Sequence, residues 1–253
     1  MADKTKIEWT DASWNPIDGC SKISAGCQFC YASNMAKRFW GDRKFSNVQF
    51  HKDRLEQPLK WKKPKRIFVS SMGDLFHENA LFSRIVEVFK IIIRSPQHTF
   101  ILLTKRPNIA TEFYRYINQY KKIVTACDGL SLLHFWPPKN IWIGTTCENQ
   151  KTADERSPIL LDVPAAVRFI SVEPMLSHID ISPWCNDIDW IICGTESGPK
   201  RRPAKTEWIR SLRDQCKNAG IPFFLKQMEV DGKIVKMPEL DGKIWSEMPK
   251  QKR

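Results

Sequence analysis

Thr99-Phe100-Ile101-Leu102-Leu103-Thr104-Lys105-Arg106-Pro107 is the stretch on which the reading of the fold turns. Its centre, residues 100–103, is continuously apolar rather than alternating. That pattern describes a strand buried on both faces, the usual condition of a parallel sheet covered by helices. The run ends abruptly in a polar, charged turn, and residues 108–122 then carry apolar positions at helical spacing. Strand, polar turn and helix in that order form the repeating unit of α/β architecture.

Outward from this stretch the unit recurs. Strand patterns occupy residues 12–17, 66–70, 99–103, 140–144, 167–171, 190–193 and 222–225, and helical patterns include 82–94, 108–122 and 207–219. Thr206 reads as the N-cap of the last helix and Gly220 as its stop. Residues 128–139, with Trp136-Pro137-Pro138, read as a surface excursion. No internal repeat or low-complexity linker divides the chain, so 1–253 is expected to be one α/β domain, with 229–253 a small C-terminal extension. Two Asp-Gly pairs, Asp231-Gly232 and Asp241-Gly242, predict a hairpin at the edge of the sheet.

The way the strands end suggests a partial (β/α) barrel of mainly parallel strands with a site at one end. Ser71-Met72-Gly73-Asp74, Thr104-Lys105-Arg106-Pro107, Thr145-Thr146-Cys147-Glu148, Val172-Glu173-Pro174 and Gly194-Thr195-Glu196-Ser197-Gly198 follow successive strands. In parallel architectures the loops at that rim converge on one mouth, where ligands bind. Taken singly, Ser171 or Thr145 reads equally well as a cap or turn residue. Five such endings in succession favour a site, and His77, alone beside it, reads as a packing or capping residue.

Cys20, Cys27 and Cys30 lie on the loop after the first strand, hence on the same rim, in the spacing C-x6-C-x2-C. Closed zinc sites use four protein ligands, and no fourth Cys or His stands close by. Three thiolates suit a 4Fe-4S cluster with one iron left open. Zinc with a distant fourth ligand, or plain buried thiols, are the other readings. Gly19, Gly26 and the polar residues between them favour a loop over a core segment. Cys127, Cys147, Cys185, Cys193 and Cys216 show no ligand spacing and read as packing residues.

The chain of 253 residues is 42% apolar, carries a net charge of +12, and shows neither a signal core nor an apolar run long enough to span a membrane. A soluble cytoplasmic protein with reduced thiols is the expectation. Lys60, Lys62, Lys63, Lys65 and Arg66 form one basic cluster, and Lys200, Arg201, Arg202 and Lys205 another. Such clusters serve solubility or meet a polyanion, and nucleic acid is the expected partner, with Trp61 a possible stacking surface.

Three cysteines after a first strand, with Phe29 immediately before the last, resemble the radical S-adenosylmethionine enzymes, although the first gap is six residues where those enzymes commonly have three. Ile7-Glu8-Trp9-Thr10-Asp11, Trp14-Asn15-Pro16, Ser71-Met72-Gly73-Asp74-Leu75-Phe76-His77, Ser171-Val172-Glu173-Pro174 and Pro222-Phe223-Phe224-Leu225-Lys226-Gln227 further resemble a family of phage-type proteins marked by this three-cysteine motif. The resemblance implies a radical-S-adenosylmethionine-like partial barrel and a 4Fe-4S cluster on Cys20, Cys27 and Cys30. It also implies S-adenosyl-L-methionine as cofactor and a reductant such as flavodoxin or ferredoxin. Phe29 would pack near the adenine, and Ser71, Met72, Gly73 and Asp74 would meet the methionine amino group. Lys105 or Arg106 would meet its carboxylate or a substrate phosphate. Thr145, Glu148, Ser171, Glu173 and Glu196 would line the ribose and substrate region. The activity implied is generation of a 5'-deoxyadenosyl radical for modification or repair of a nucleic acid or nucleotide-like substrate. The alternative is a zinc-stabilised nucleic-acid-binding or interaction protein without catalysis.

Overall fold

A computed structural model describes residues 5–124 and 136–250. Cys127, most of the 128–139 excursion and the terminal Lys252 and Arg253 lie outside the described residues. The strands are β1 (Ala12–Trp14), β2 (Ile17–Asp18), β3 (Gln49–Phe50), β4 (Arg66–Val69), β5 (Thr99–Thr104), β6 (Ile141–Thr146), β7 (Val167–Val172), β8 (Trp190–Gly194), β9 (Phe223–Val230), β10 (Lys233–Lys236), β11 (Glu239–Leu240) and β12 (Lys243–Ile244). The α-helices are α1 (Tyr31–Phe39), α2 (Phe82–Ile93), α3 (Pro107–Val124), α4 (Gln150–Leu161) and α5 (Thr206–Ala219).

Eight strands form one sheet in the order β1-β4-β5-β6-β7-β8-β9-β10. Every pairing from β1 to β9 is parallel, and only the β9–β10 hairpin is antiparallel. The chain is thus α/β with a mostly parallel sheet curled into a half-barrel. Trp9 makes the curl visible, because its ring lies 4.8 Å from Phe68 on β4 and 6.1 Å from Trp190 on β8. Four strand spacings on a flat sheet would separate those strands by about 19 Å.

Alternation along each strand sorts the side chains onto two faces. Phe68, Ile101, Trp142, Phe169, Trp190, Ile192 and Phe224 form an aromatic cluster with Trp9 on the concave face. Ile67, Phe100, Leu102, Ile143, Ile170, Ile191 and Phe223 join the core beneath the helices. Both faces are therefore covered, which is why the strands read as continuous apolar runs. Gly144 is needed on the concave side, since a Cβ there would come within 2.5 Å of the Phe169 ring.

The expected strand over 12–17 divides in two. Pro16 follows β1 closely, and the next two residues pair instead with β3 in a separate small sheet. Thr206 is the first residue of α5 rather than its cap, a position held by Lys205 without a side-chain bond. Gly220 does end that helix, in the left-handed region at φ 70°. The first Asp-Gly pair turns the β9–β10 hairpin at the sheet edge, and the second turns β11–β12. Among the described residues no helix is long and apolar enough to cross a membrane.

Candidate functional site

The C-terminal ends of the parallel strands share one rim, and the cysteine loop lies across it. Four rim loops grip that loop. After β4, Gly19 N–H donates to the Met72 carbonyl at 2.9 Å, and Gly19 and Gly73 pair as a parallel bridge. A Cβ on Gly73 would come within 2.7 Å of the Gly19 oxygen, and Gly19 itself sits at φ 93°, so both glycines are demanded by the close approach. After β5, Arg106 donates to Cys20 Sγ at 3.5 Å and to Ser21 Oγ at 2.8 Å while pairing with Asp74 and Glu78. After β6, the Glu148 carboxylate accepts from Gly26 N–H at 3.1 Å and pairs with Arg156 at 3.0 Å. After β8, Arg202 donates to the Ala25 carbonyl at 2.9 Å and is held by Glu196.

Below this loop the half-barrel encloses a cavity of about 710 Å³. Phe29, Ser71, Met72, Lys105, Ser171, Glu173 and Glu196, all expected at the site, line it. Cys30 does as well. Glu173 pairs with Lys226, and Arg202 lies 5.5 Å from the Phe29 ring.

The structure places other expected residues elsewhere. Asp74, expected to meet an ammonium group, is buried and already shared by Arg106, the Thr104 hydroxyl and the Phe76 N–H. Gly73 serves the Gly19 contact, and Glu148 braces the cysteine loop from behind. Thr145 points away from the cavity and donates to the Thr104 carbonyl, because β6 continues through Thr146 and parity puts Thr146 on the concave face. His77, buried, supports the cysteine loop, its Nε2 lying 2.9 Å from Ser21 Oγ.

The basic clusters also separate. Lys60, Lys62, Lys63, Lys65 and Arg66 precede or begin β4, at the rim opposite the cavity mouth, and Arg66 pairs with Asp11. Trp61 is buried beside His98, so it offers no stacking face. Lys200, Arg201, Arg202 and Lys205 follow β8 on the mouth side, but Arg201 and Arg202 are engaged with Glu229 and Glu196.

Sequence reasoning missed Trp9, Tyr31, Met35, Thr146, Lys226 and Gln227 as cavity residues. For Lys226 a signal existed: a lysine at the polar end of an apolar strand, as at the other strand ends. Trp9, Tyr31 and Met35 reach the cavity from segments outside the sheet, and no spacing announces that. Two buried polar atoms on cavity-lining residues, Trp9 Nε1 and Thr195 Oγ1, have no hydrogen-bond partner among the described residues. Buried polar groups are nearly always paired, so these two stand out in the wall of the cavity.

Cys20, Cys27 and Cys30 are free thiols, and no group of three or more His, Cys, Asp or Glu side chains among the described residues is gathered closely enough to hold a metal ion. A zinc ion, with Zn–S about 2.3 Å, and an iron–sulfur cluster on the same three thiols would both require them to draw together. Thiols are the ligand type shared by zinc and iron–sulfur sites, and cationic side chains stand near Cys20 and Cys27. Burial pushes the Cys20 thiol up to about 11, with Asp74 adding and Arg106 opposing, so it would ligate with release of its proton to solvent as the metal takes its place. Burial acts the same way on Cys27, but the Lys105 charge and hydrogen bonds from the Ile23 and Ser24 region outweigh it and hold that thiol below its usual range. The cationic groups at both sulfurs are those that favour thiolate ligands.

A family model described as a protein of unknown function (DUF5131) matches residues 4–249. No curated protein and no solved structure matches the chain.

Proposed function

The chain belongs to the DUF5131 family, whose function is unknown, and for it we propose a radical S-adenosylmethionine enzyme acting on a nucleic acid or nucleotide-like substrate. The observation that supports this reading is the placement of the three thiols: one loop, at the C-terminal rim of a curled parallel sheet, with Cys30 at the edge of a large aromatic cavity. Cys20, Cys27 and Cys30 would hold a 4Fe-4S cluster, which with one electron from an external reductant would supply the reductive cleavage of S-adenosylmethionine to methionine and a 5'-deoxyadenosyl radical.

The chain's own residues supply position and exclusion of water. Arg106 orients Cys20 by donating to its sulfur, and the Arg106–Asp74–Glu78 network fixes Arg106 in turn. Ser71 and Met72 line the cavity with Phe29 and are held in place there, the Ser71 carbonyl accepting from the Tyr31 hydroxyl and the Met72 N–H donating to Asn15. Glu173 and Lys226, paired at the wall, can each bind a ligand group of opposite charge, the carboxylate accepting from hydroxyl or amino groups and the ammonium donating to phosphate or carbonyl oxygens.

The test is iron and sulfide analysis of protein purified without oxygen, then reduction with dithionite in the presence of S-adenosylmethionine and assay of 5'-deoxyadenosine. Iron and sulfide in equal amounts with release of 5'-deoxyadenosine are expected. Cys20→Ala, Cys27→Ala and Cys30→Ala should each abolish the brown colour, and Cys193→Ala, buried in the core, should keep it. Stoichiometric zinc without iron would reject the proposal in favour of a zinc-stabilised binding protein.

A further inference from the structure

The first turn of α1 begins one residue after Cys30, and its outer face is unusually apolar. Tyr31, Met35 and Phe39 are 46%, 45% and 66% exposed, and Ile23 on the cysteine loop is 44% exposed. Residues four apart share a helix face, so Tyr31, Met35 and Phe39 form one stripe about 12 Å long. The flank next to this stripe, with Ala32 and Ala36, is buried against the body of the protein. Tyr31 and Met35 also line the cavity. The stripe therefore starts inside the mouth and runs outward along the helix.

The segment itself is basic, and the carboxylates that reach the cysteine loop or hold its partners, Glu78, Glu148 and Glu196, are each paired with an arginine. Residues 19–41 contain no Asp or Glu, and Lys22, Lys37 and Arg38 among them are exposed. The Arg38 guanidinium lies 5.2 Å from the Phe39 ring, and beyond the helix Arg43 stacks on Trp40 at 3.6 Å. Across the mouth stand the exposed Lys200 and Lys205. Aromatic faces interleaved with cations are how proteins hold single-stranded nucleic acid, with bases stacking on rings and phosphates meeting Lys and Arg. A duplex keeps its base faces stacked internally and cannot use such a stripe.

We propose that the Tyr31–Met35–Phe39 face of α1, with Lys22, Lys37 and Arg38, is a track for single-stranded nucleic acid that delivers an unpaired nucleotide into the cavity. The inference rests on the reading of the cavity as a site for a nucleic acid or nucleotide-like substrate. Continuity with the cavity favours a threaded strand over a globular acidic protein, because the occupant of the outer stripe must also reach Tyr31 and Met35 at the mouth.

The experiment is fluorescence anisotropy with the anaerobically purified full chain and labelled single-stranded DNA, single-stranded RNA and duplex DNA of one length. It compares wild type, Phe39→Ala and the double variant Lys37→Ala/Arg38→Ala, and repeats the titration with an acidic flavodoxin as competitor. Single strands should bind more tightly than duplex, and the preferred sugar identifies DNA or RNA. Phe39→Ala should weaken single-strand binding about 5- to 160-fold, the size of one base stack. The double variant should lower the slope of log affinity against log salt by about 0.7 for each phosphate that is no longer neutralised. Phe39 is exposed, so its replacement leaves the core intact. Tight single-strand binding unaffected by either variant would overturn the track while leaving the nucleic-acid substrate reading in place. Equal affinity for duplex, or no binding of any oligonucleotide, would overturn it as well, and 5'-deoxyadenosine release would still report on the enzyme separately. Loss of flavodoxin binding in Phe39→Ala without loss of strand binding would assign the face to a protein partner and overturn the track.

Discussion

Glu148 illustrates how single residues hold this site together. Its carboxylate is wholly buried, accepts from Gly26 N–H in the cysteine loop and pairs with Arg156, itself bound to the Thr146 carbonyl at 2.6 Å. Burial alone would raise this carboxyl, but the Ser24 hydrogen bond and the charges of Arg156 and Lys105 outweigh it and hold it below the ordinary range. Its contribution to stability is therefore complete above about pH 4.3, the ordinary glutamate value, and is lost as pH falls through the lowered folded value. Glu148→Gln should cost about 3 kcal/mol in urea unfolding at pH 7, because Arg156 is left buried without its counter-charge. An unchanged midpoint would mean that the Thr146 carbonyl suffices for Arg156. Asp74 and Thr145 make the same point from the other side. Their residue types suited a ligand site, and their neighbours use both for support.

At the scale of elements, α4 was the least visible in the sequence. Pro158 lies inside it, its apolar residues form only a weak stripe, and its start depends on a capping box between Asn149 and Thr152 rather than on the Ser/Thr-to-Glu pattern that usually announces one. The turns before β4 and β5 are tied together by His98. Its Nδ1 accepts from the Lys65 N–H at 3.2 Å, and its Nε2 faces the Pro58 carbonyl at 3.1 Å, an arrangement that suits the neutral ring with the proton on Nε2. Burial lowers its pKa against the opposing pull of the Pro58 and Trp61 carbonyls. The folded chain thus refuses a proton that the unfolded chain accepts near pH 6.5, so stability is full above that value and declines below it. Urea unfolding at pH 7.5 and 5.5 should show that decline, and His98→Gln should make it shallower. Part of the slope should remain, since burial and Arg106 lower His77 in the same direction. An identical slope in the variant would exclude His98 as a source.

On the scale of the whole molecule, the open side of the half-barrel is closed by the N-terminal segment. Lys236 on β10 pairs with Glu8 at 2.6 Å and donates to the Lys6 carbonyl, while Trp9 fills the space between β4 and β8. Residues 5–9 therefore join the two ends of the sheet and form part of the cavity wall. Trp9→Ala should cost about 3–5 kcal/mol, the range for emptying a buried aromatic site. Phe39→Ala on the exposed stripe should leave stability unchanged within about 0.5 kcal/mol. A small loss at Trp9 would show that the aromatic cluster collapses around the gap.

The α/β class, the parallel strands and the rim carrying the polar residues could all be read from the chain, because each follows from local periodicity: runs such as 100–103 are apolar on both sides and end in charge. The cysteine loop was equally legible, since its three thiols sit within eleven residues. Which rim residues enter the cavity was decided only by the tertiary structure. β6 runs two residues past its expected end, so its alternation carries on to turn Thr146 inward and Thr145 outward, and the curl of the sheet brings Trp9, Tyr31 and Met35 to a wall that no spacing foretells. The fate of the charges was settled at the same level. Arg106, Glu148 and Arg202 are committed to the cysteine loop because folding places its carbonyls, N–H groups and sulfur within their reach, and pairing there avoids the cost of leaving buried charge uncompensated.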